Sequence, residues 1–387
     1  MPRRDTLATL ERALAARRIL VVAGSGGVGQ TTTAAALALR AARDGRRVLV
    51  CTIDPSRRLA TSLGLGQLSG RPRAIDIRRL SPPPVPGGSL HAMVLDVKST
   101  FDALVARHTP DAAERERILG NRYYQHVSAA LAGSNEYMAM EKLLELSGDD
   151  RYELVVLDTP PTRHALDFLE APDRLMGFLD ASILRWFLRP YFAAGTLTLK
   201  VATRTGAVAQ RLADRFLGLQ FLSELSEFFL AFESMYEGFK ERAERVFALL
   251  RDPSSGFVLV AGPGPPALEE ALYFRARLGE KGMPFVGFVV NRVHADPARE
   301  LSSRRRAPAA VEPGLRERLL RTLREQQVLA RVERRALARL EVNAREKPVL
   351  VPELEHDVHD LRGLAGFGEL VFAGRKAAAS RPRAASR

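Results

Sequence analysis

Residues 24 to 33 read Gly24-Ser25-Gly26-Gly27-Val28-Gly29-Gln30-Thr31-Thr32-Thr33. Gly24, Gly29 and Thr31 hold the places of a phosphate-binding loop of the form G-x-x-x-x-G-K-[ST]. In such a loop glycine lets the backbone curl until successive N–H groups point at phosphate oxygens. The start of the following helix adds a partial positive charge. The lysine place is taken by Gln30, whose amide donates hydrogen bonds but neutralises no charge. The chemistry on offer is nucleotide binding, with hydrolysis left open.

Two aspartates join the loop. Asp54 ends Cys51-Thr52-Ile53-Asp54, and Asp158 opens Asp158-Thr159-Pro160-Pro161-Thr162-Arg163-His164. Each follows a short apolar run, and such runs are the elements that must position the chemistry. They are Ile19–Ala23, Val48–Ile53, Leu90–Asp96, Leu154–Asp158, Phe257–Ala261, Phe285–Asn291 and Val349–Val351. Helical patterns separate them, which predicts an α/β fold with a doubly wound, mostly parallel sheet and helices on both faces. Ligands of such sheets bind at the carboxyl ends of the strands, and Asp54 and Asp158 fall there. The plainer reading of both is turn chemistry, since Asp-Pro and Asp-Thr-Pro form turns readily.

One domain is expected over residues 1–374, with a helical subdomain inserted at about 100–150 and 165–250. From Phe216 to Phe239, the residues Phe221, Leu225, Phe228, Phe232, Tyr236 and Phe239 recur at steps of three or four. This pattern fits a helix packed in its own subdomain, or a groove for an apolar client helix. A second helix is expected over 315–342, within a basic insertion at about 303–347. Met138 and Met140 read as helix-packing residues, Cys51 as a buried thiol and His164 as a hydrogen-bonded structural histidine.

With one cysteine among 387 residues, the chain can form neither an internal disulfide nor a multi-cysteine metal site by itself. The opening Met1-Pro2-Arg3-Arg4-Asp5 lacks an apolar signal segment, so a cytoplasmic location is expected. The net charge of +13 is concentrated in two places. Residues 303–347 hold 13 Lys/Arg against 6 Asp/Glu, and the tail 375–387 holds 5 basic residues and no acidic one. A solvated helix face and a disordered tail account for this. Contact with acidic lipid, RNA or an acidic partner is the alternative. No nucleic-acid motif accompanies the charge, and any membrane contact is read as peripheral.

The loop, the Cys51–Leu59 stretch, the Asp158–His164 stretch and Val290-Asn291-Arg292 together resemble the arsenite-pump (ArsA) and tail-anchored-protein-targeting ATPases. These form a ParA/MinD-like branch of the P-loop proteins, and the resemblance runs from about residue 17 to 372. It implies ATP or ADP with Mg²⁺, bound by a P-loop fold. Backbone amides from Gly26 to Thr31 would cradle the phosphates, within a loop formed by Gly24, Ser25, Gly26, Gly27, Val28, Gly29, Gln30, Thr31 and Thr32. The Thr31 hydroxyl would ligate Mg²⁺, with Asp158 near the metal. Asp54 would orient or activate the attacking water. Asn291 would read the adenine edge, and Pro352 lies where the adenine-flanking loop falls. A homodimer, or a heterodimer with a paralogue, is implied, as is an apolar helical client.

The departures are specific. Ser25 stands where the family's signature lysine reaches across the dimer, and Arg163 where better-known members have glycine. No Cys-x-x-Cys exists to share a zinc, and the cysteines of an arsenite site are absent, so arsenite is excluded as a ligand. One well-placed cation contributes roughly 10³–10⁵ in phosphoryl-transfer rate, so losing two predicts weak hydrolysis. Three accounts fit: a substitution at residue 30 that traps a state, a degenerate subunit beside an active paralogue, or replacement by Arg57, Arg58 or Arg163. The expectation is an ATP-binding dimeric switch that couples nucleotide state to an apolar client. The alternative is a non-catalytic nucleotide-gated scaffold.

Overall fold

The computed structural model describes residues 4–54, 56–109, 111–121, 134–159, 238, 240–296 and 313–373. The phenylalanine-rich stripe residues of 216–239, Arg163, His164 and the tail 375–387 lie outside them. The chain divides into two compact units. The first takes residues 1–95, 143–166 and 248–387, and the second 96–142 and 167–247.

The first part of the chain runs β1 (Arg4–Asp5), α1 (Thr6–Ala16), β2 (Ile19–Gly24), α2 (Gln30–Arg43), β3 (Arg47–Thr52), α3 (Arg58–Ser62), β4 (Arg73–Ile75) and β5 (Ser89–Val94). Then come α4 (Val97–His108), α5 (Ala112–Gly120), α6 (Ser134–Ser147) and β6 (Leu154–Asp158). The rest is β7 (Ser255–Ala261), α7 (Pro265–Glu280), β8 (Phe285–Val293), α8 (Pro313–Ala344), β9 (Glu346–Lys347), β10 (Val349–Pro352) and α9 (Leu361–Phe372). Eight strands form one sheet in the order β10-β8-β7-β2-β6-β3-β5-β4, and β1 pairs with β9 apart from it. Every neighbour in the large sheet is parallel except β4, which runs antiparallel to β5. The fold is therefore the mostly parallel α/β sheet with flanking helices that the apolar runs predict.

The central strands are apolar along their whole length because both faces are covered. Residues 19–22 of β2 and 154–157 of β6 are buried without alternation. Six of the ten buried residues of α2 are alanine, which lets the helix lie close to its neighbours, with α9 packed against it. At that crossing Gly368 of α9 comes within 3.9 Å of the Ala36 carbonyl oxygen, measured from where its Cβ would be.

Several element bounds differ from the sequence reading by one or two residues, and short strands are additional. The run to Asp96 is strand only to Val94, because the Asp96 carboxylate caps α4 by accepting from the Ser99 N–H. The short edge strand β4 has no apolar run and was not foreseen. Helix α8 starts at Pro313 and ends at Ala344. In the second unit Met138 and Met140 are fully buried on α6, as packing residues are expected to be.

Candidate nucleotide-binding site

The chain turns the sheet's winding at β2, which lies between β6 on one side and β7 on the other, and that is where parallel sheets form crevices. The loop 25–29 leaves the carboxyl end of β2 there and enters α2. Its first glycine is required by contact: a Cβ on Gly24 would lie 2.2 Å from the Val260 carbonyl oxygen of the paired strand. Its last is required twice over. Gly29 has φ +83, a left-handed conformation, and a Cβ there would lie 2.3 Å from the Asn291 Nδ2. Gly26 and Gly27 are exposed at the rim, Ser25, Thr31 and Thr32 are half-buried, and Val28 is buried.

Helix α2 begins without a side-chain cap and without an acidic residue in its first turn. Its first N–H groups are thus left for another acceptor, and its last turn carries Arg40 and Arg43 against the opposite pole. A cradle built from positive-φ glycines at an uncapped helix start suits a phosphate chain.

Gln30 does not face that cradle. Its side chain is 6% exposed, and Nε2 lies 3.0 Å from the Val22 carbonyl oxygen, 3.0 Å from Asp158 Oδ1, 2.6 Å from the Thr159 carbonyl oxygen and 3.1 Å from Thr159 Oγ1. Two amide hydrogens serve four oxygens, while Oε1 is buried with no hydrogen-bond partner. The strand register explains the convergence. Asp158 sits opposite Val22 of β2 on one side and Thr52 of β3 on the other, so an inward residue at the head of α2 meets the ends of both β2 and β6.

Asp158 is fully buried. Its Oδ2 accepts from the Thr52 hydroxyl at 2.9 Å, and the Thr31 hydroxyl also bonds it. Burial pushes its pKa up to about 7, against the lowering by the Thr31, Thr52 and Gln30 hydrogen bonds, and the charge of Asp54 raises it further. Asp54 is half-buried; its Oδ1 accepts from the Ser56 N–H at 2.8 Å, and its own N–H donates to Thr52 Oγ1 at 3.2 Å. One hydroxyl, that of Thr52, thus links the two aspartates. Thr31 and Asp158, side by side as hydroxyl and carboxylate, form a donor set of the hard oxygen type that Mg²⁺ takes. Arg57 and Arg58 are exposed, just beyond Asp54.

On the other side of β2, Asn291 ends the buried part of β8, and its Nδ2 donates to the Val28 carbonyl oxygen at 2.9 Å. Here that amide supports the loop. Pro352 closes β10, opposite Val293 of β8 across an irregular register. Sequence reasoning missed Thr52 and Thr159. Both lie inside quoted motifs, Thr52 two residues before Asp54 and Thr159 directly after Asp158, and a hydroxyl close to a strand-end aspartate was the available signal.

Comparisons with known proteins place the chain in a family. The family model described as anion-transporting ATPase matches residues 17–318. The chain is similar to "ATPase get3" of Aspergillus terreus, 31% identical over 158 residues, covering 40% of this chain and 43% of that protein. It is similar to "ATPase GET3" of Malassezia globosa, 32% identical over 152 residues, with 39% and 41% covered. It is 25% identical to "ATPase GET3B" of Arabidopsis thaliana over 295 residues, 72% of this chain and 64% of that protein. The chain thus spans less than half the length of the two fungal relatives and just under two thirds of the plant one. With the loop, both aspartates and Asn291 all inside a match that covers most of its length, the chain belongs to the ArsA family of anion-transporting ATPases.

Proposed function

We propose that this chain is an ATP-binding switch protein whose own hydrolysis is weak, and that it works as a cytoplasmic dimer coupling nucleotide state to an apolar client or partner. The observation that carries this reading is the buried amide of Gln30, turned to Asp158 beside an otherwise complete phosphate cradle. The phosphates would lie on the N–H groups of residues 26–31. Mg²⁺ would be held by the Thr31 hydroxyl with Asp158 behind it, supplying charge neutralisation on the phosphate oxygens. Asp54 would orient the attacking water from the end of β3. Neither Ser25 nor Gln30 brings a cation to the phosphates, and this chemistry rests mainly on charge and positioning. The dimer and the client rest on family membership alone. No helix among the described residues is long and apolar enough to cross a membrane.

The competing reading, a non-catalytic scaffold or the inactive half of a heterodimer, is favoured by the same amide. Phosphate release by purified protein with Mg²⁺ and ATP separates the two, measured against Asp54→Asn. Slow release that the variant abolishes supports the enzyme. Binding with identical background release in both proteins supports the scaffold. Absence of binding rejects both.

A further inference from the structure

Asp54, just past β3, and Asp158, the last residue of β6, lie on one side of the loop-bearing strand β2. If the terminal phosphate is handled there, the nucleoside must extend to the other side, over the carboxyl ends of β7, β8 and β10. That side carries a histidine set between two glutamates, which the phosphate chemistry does not use. His294, the residue after β8, places Nδ1 2.7 Å from Glu333 Oε1, and its backbone N–H donates to Glu333 Oε2 at 3.0 Å. Its other ring nitrogen, Nε2, lies 3.0 Å from Glu353 Oε2.

Glu333 is a buried residue of α8, and Glu353 directly follows Pro352 and returns its N–H to the Val293 carbonyl oxygen at 3.2 Å. One imidazole therefore ties α8 to the ends of both β8 and β10. A second pair, Arg334 with Asp296 at 2.9 Å, repeats the tie one residue along α8. The tie acts on backbone that does not hold itself. Arg292, between Asn291 and His294, has φ +60, and the β8–β10 register breaks between Leu350 and Pro352. A non-glycine residue in that conformation persists where its surroundings fix it.

We propose that His294 is a positioning residue. By holding Glu333 and Glu353 together, it sets the strand ends of β8 and β10 as a single wall for the base and ribose, and so tightens ATP without touching the phosphate cradle. The inference rests on the nucleotide reading above and names the part of that site which selects the nucleoside. Three residues so far apart in the chain, one on α8 and two just past strand ends, meet in no local motif, so the bridge is visible only in the fold.

The test compares Mg·ATP with inorganic tripolyphosphate, which has the phosphates and no nucleoside, by calorimetric titration of the full chain. His294→Ala is expected to weaken ATP about tenfold or more while leaving tripolyphosphate within about twofold. His294→Gln, which retains donors toward the carboxylates, should recover part of the loss. Glu353→Gln, at a half-exposed position that leaves the Glu333 contact in place, should weaken ATP about threefold and spare tripolyphosphate even if the alanine variant folds poorly. Unchanged ATP affinity in both His294→Ala and Glu353→Gln overturns the proposal. So does an equal loss of both ligands, which is what a merely structural role produces. Wild-type protein that binds neither ligand rejects the nucleotide reading itself, and this inference with it.

Discussion

The amide of Gln30 serves the ends of β2 and β6 rather than the mouth of the loop, and the motif could give its position but not its direction. Direction depends on Asp158 and Thr159, more than 120 residues away and reached only through strand register. Replacing Gln30 by Met, similar in shape and without hydrogen-bonding groups, leaves the buried Thr159 carbonyl oxygen short of a donor and takes one from Asp158 Oδ1. It should cost about 1–3 kcal/mol in denaturant unfolding while changing ATP affinity little. If Gln30 instead bound phosphate, the variant would lose affinity and keep its stability.

Asp158 gives a second residue-scale expectation. Its pKa is about 7 in the folded chain, against roughly 3.9 in an unfolded one. Between those values the native state holds a proton that the unfolded state has released. Its contribution to stability is therefore full below about pH 4, falls as the pH rises toward 7, and is flat above. Unfolding midpoints measured across that window should show a downward component that Asp158→Asn removes. The same slope in both proteins would show that Asp158 does not titrate there.

At the scale of elements, burial decides what could be read. The central strands were legible because parallel strands covered on both faces are unbroken apolar runs. β4 was not, being three residues at an edge with exposed Arg73 and Ala74. The strand before Asp96 ends at Val94, two residues short of the apolar run, because Asp96 caps α4; in sequence a cap residue following a strand looks like its continuation. Helix α8 was legible from its leucines, yet periodicity could not say which of them pack. Ala330, Glu333, Ala336, Leu337, Leu340 and Ala344 are buried, whereas Leu315, Leu319 and Leu320 are 41%, 53% and 43% exposed. Only the second half of the helix is docked. Leu340→Ala should therefore destabilise by about 2–5 kcal/mol and Leu319→Ala by no more than about 0.5 kcal/mol, both read from denaturant midpoints. Equal effects would mean that the first half is packed as well.

At the scale of the whole molecule, the site lies within the first unit, and the second unit holds much of the chain outside the described residues. The sequence located the loop, both aspartates and Asn291 because each sits at a strand end, where α/β sheets collect function. It could not show that Thr52 joins the aspartates or that His294 joins two carboxylates, since both links are made between elements. The dimer is checked by light scattering at tens of micromolar with and without Mg·ATP: a two-subunit mass agrees with the switch, and a monomer throughout removes the dimer from it. The central claim is that nucleotide is held with little turnover because the side chain at position 30 serves Asp158 and brings no charge to the phosphates. Single-turnover phosphate release from pre-bound Mg·ATP tests this most directly, comparing wild type with Gln30→Lys. The account predicts release at least about tenfold faster in the lysine variant, a barrier lower by about 1.4 kcal/mol; equal rates in the two proteins would contradict it.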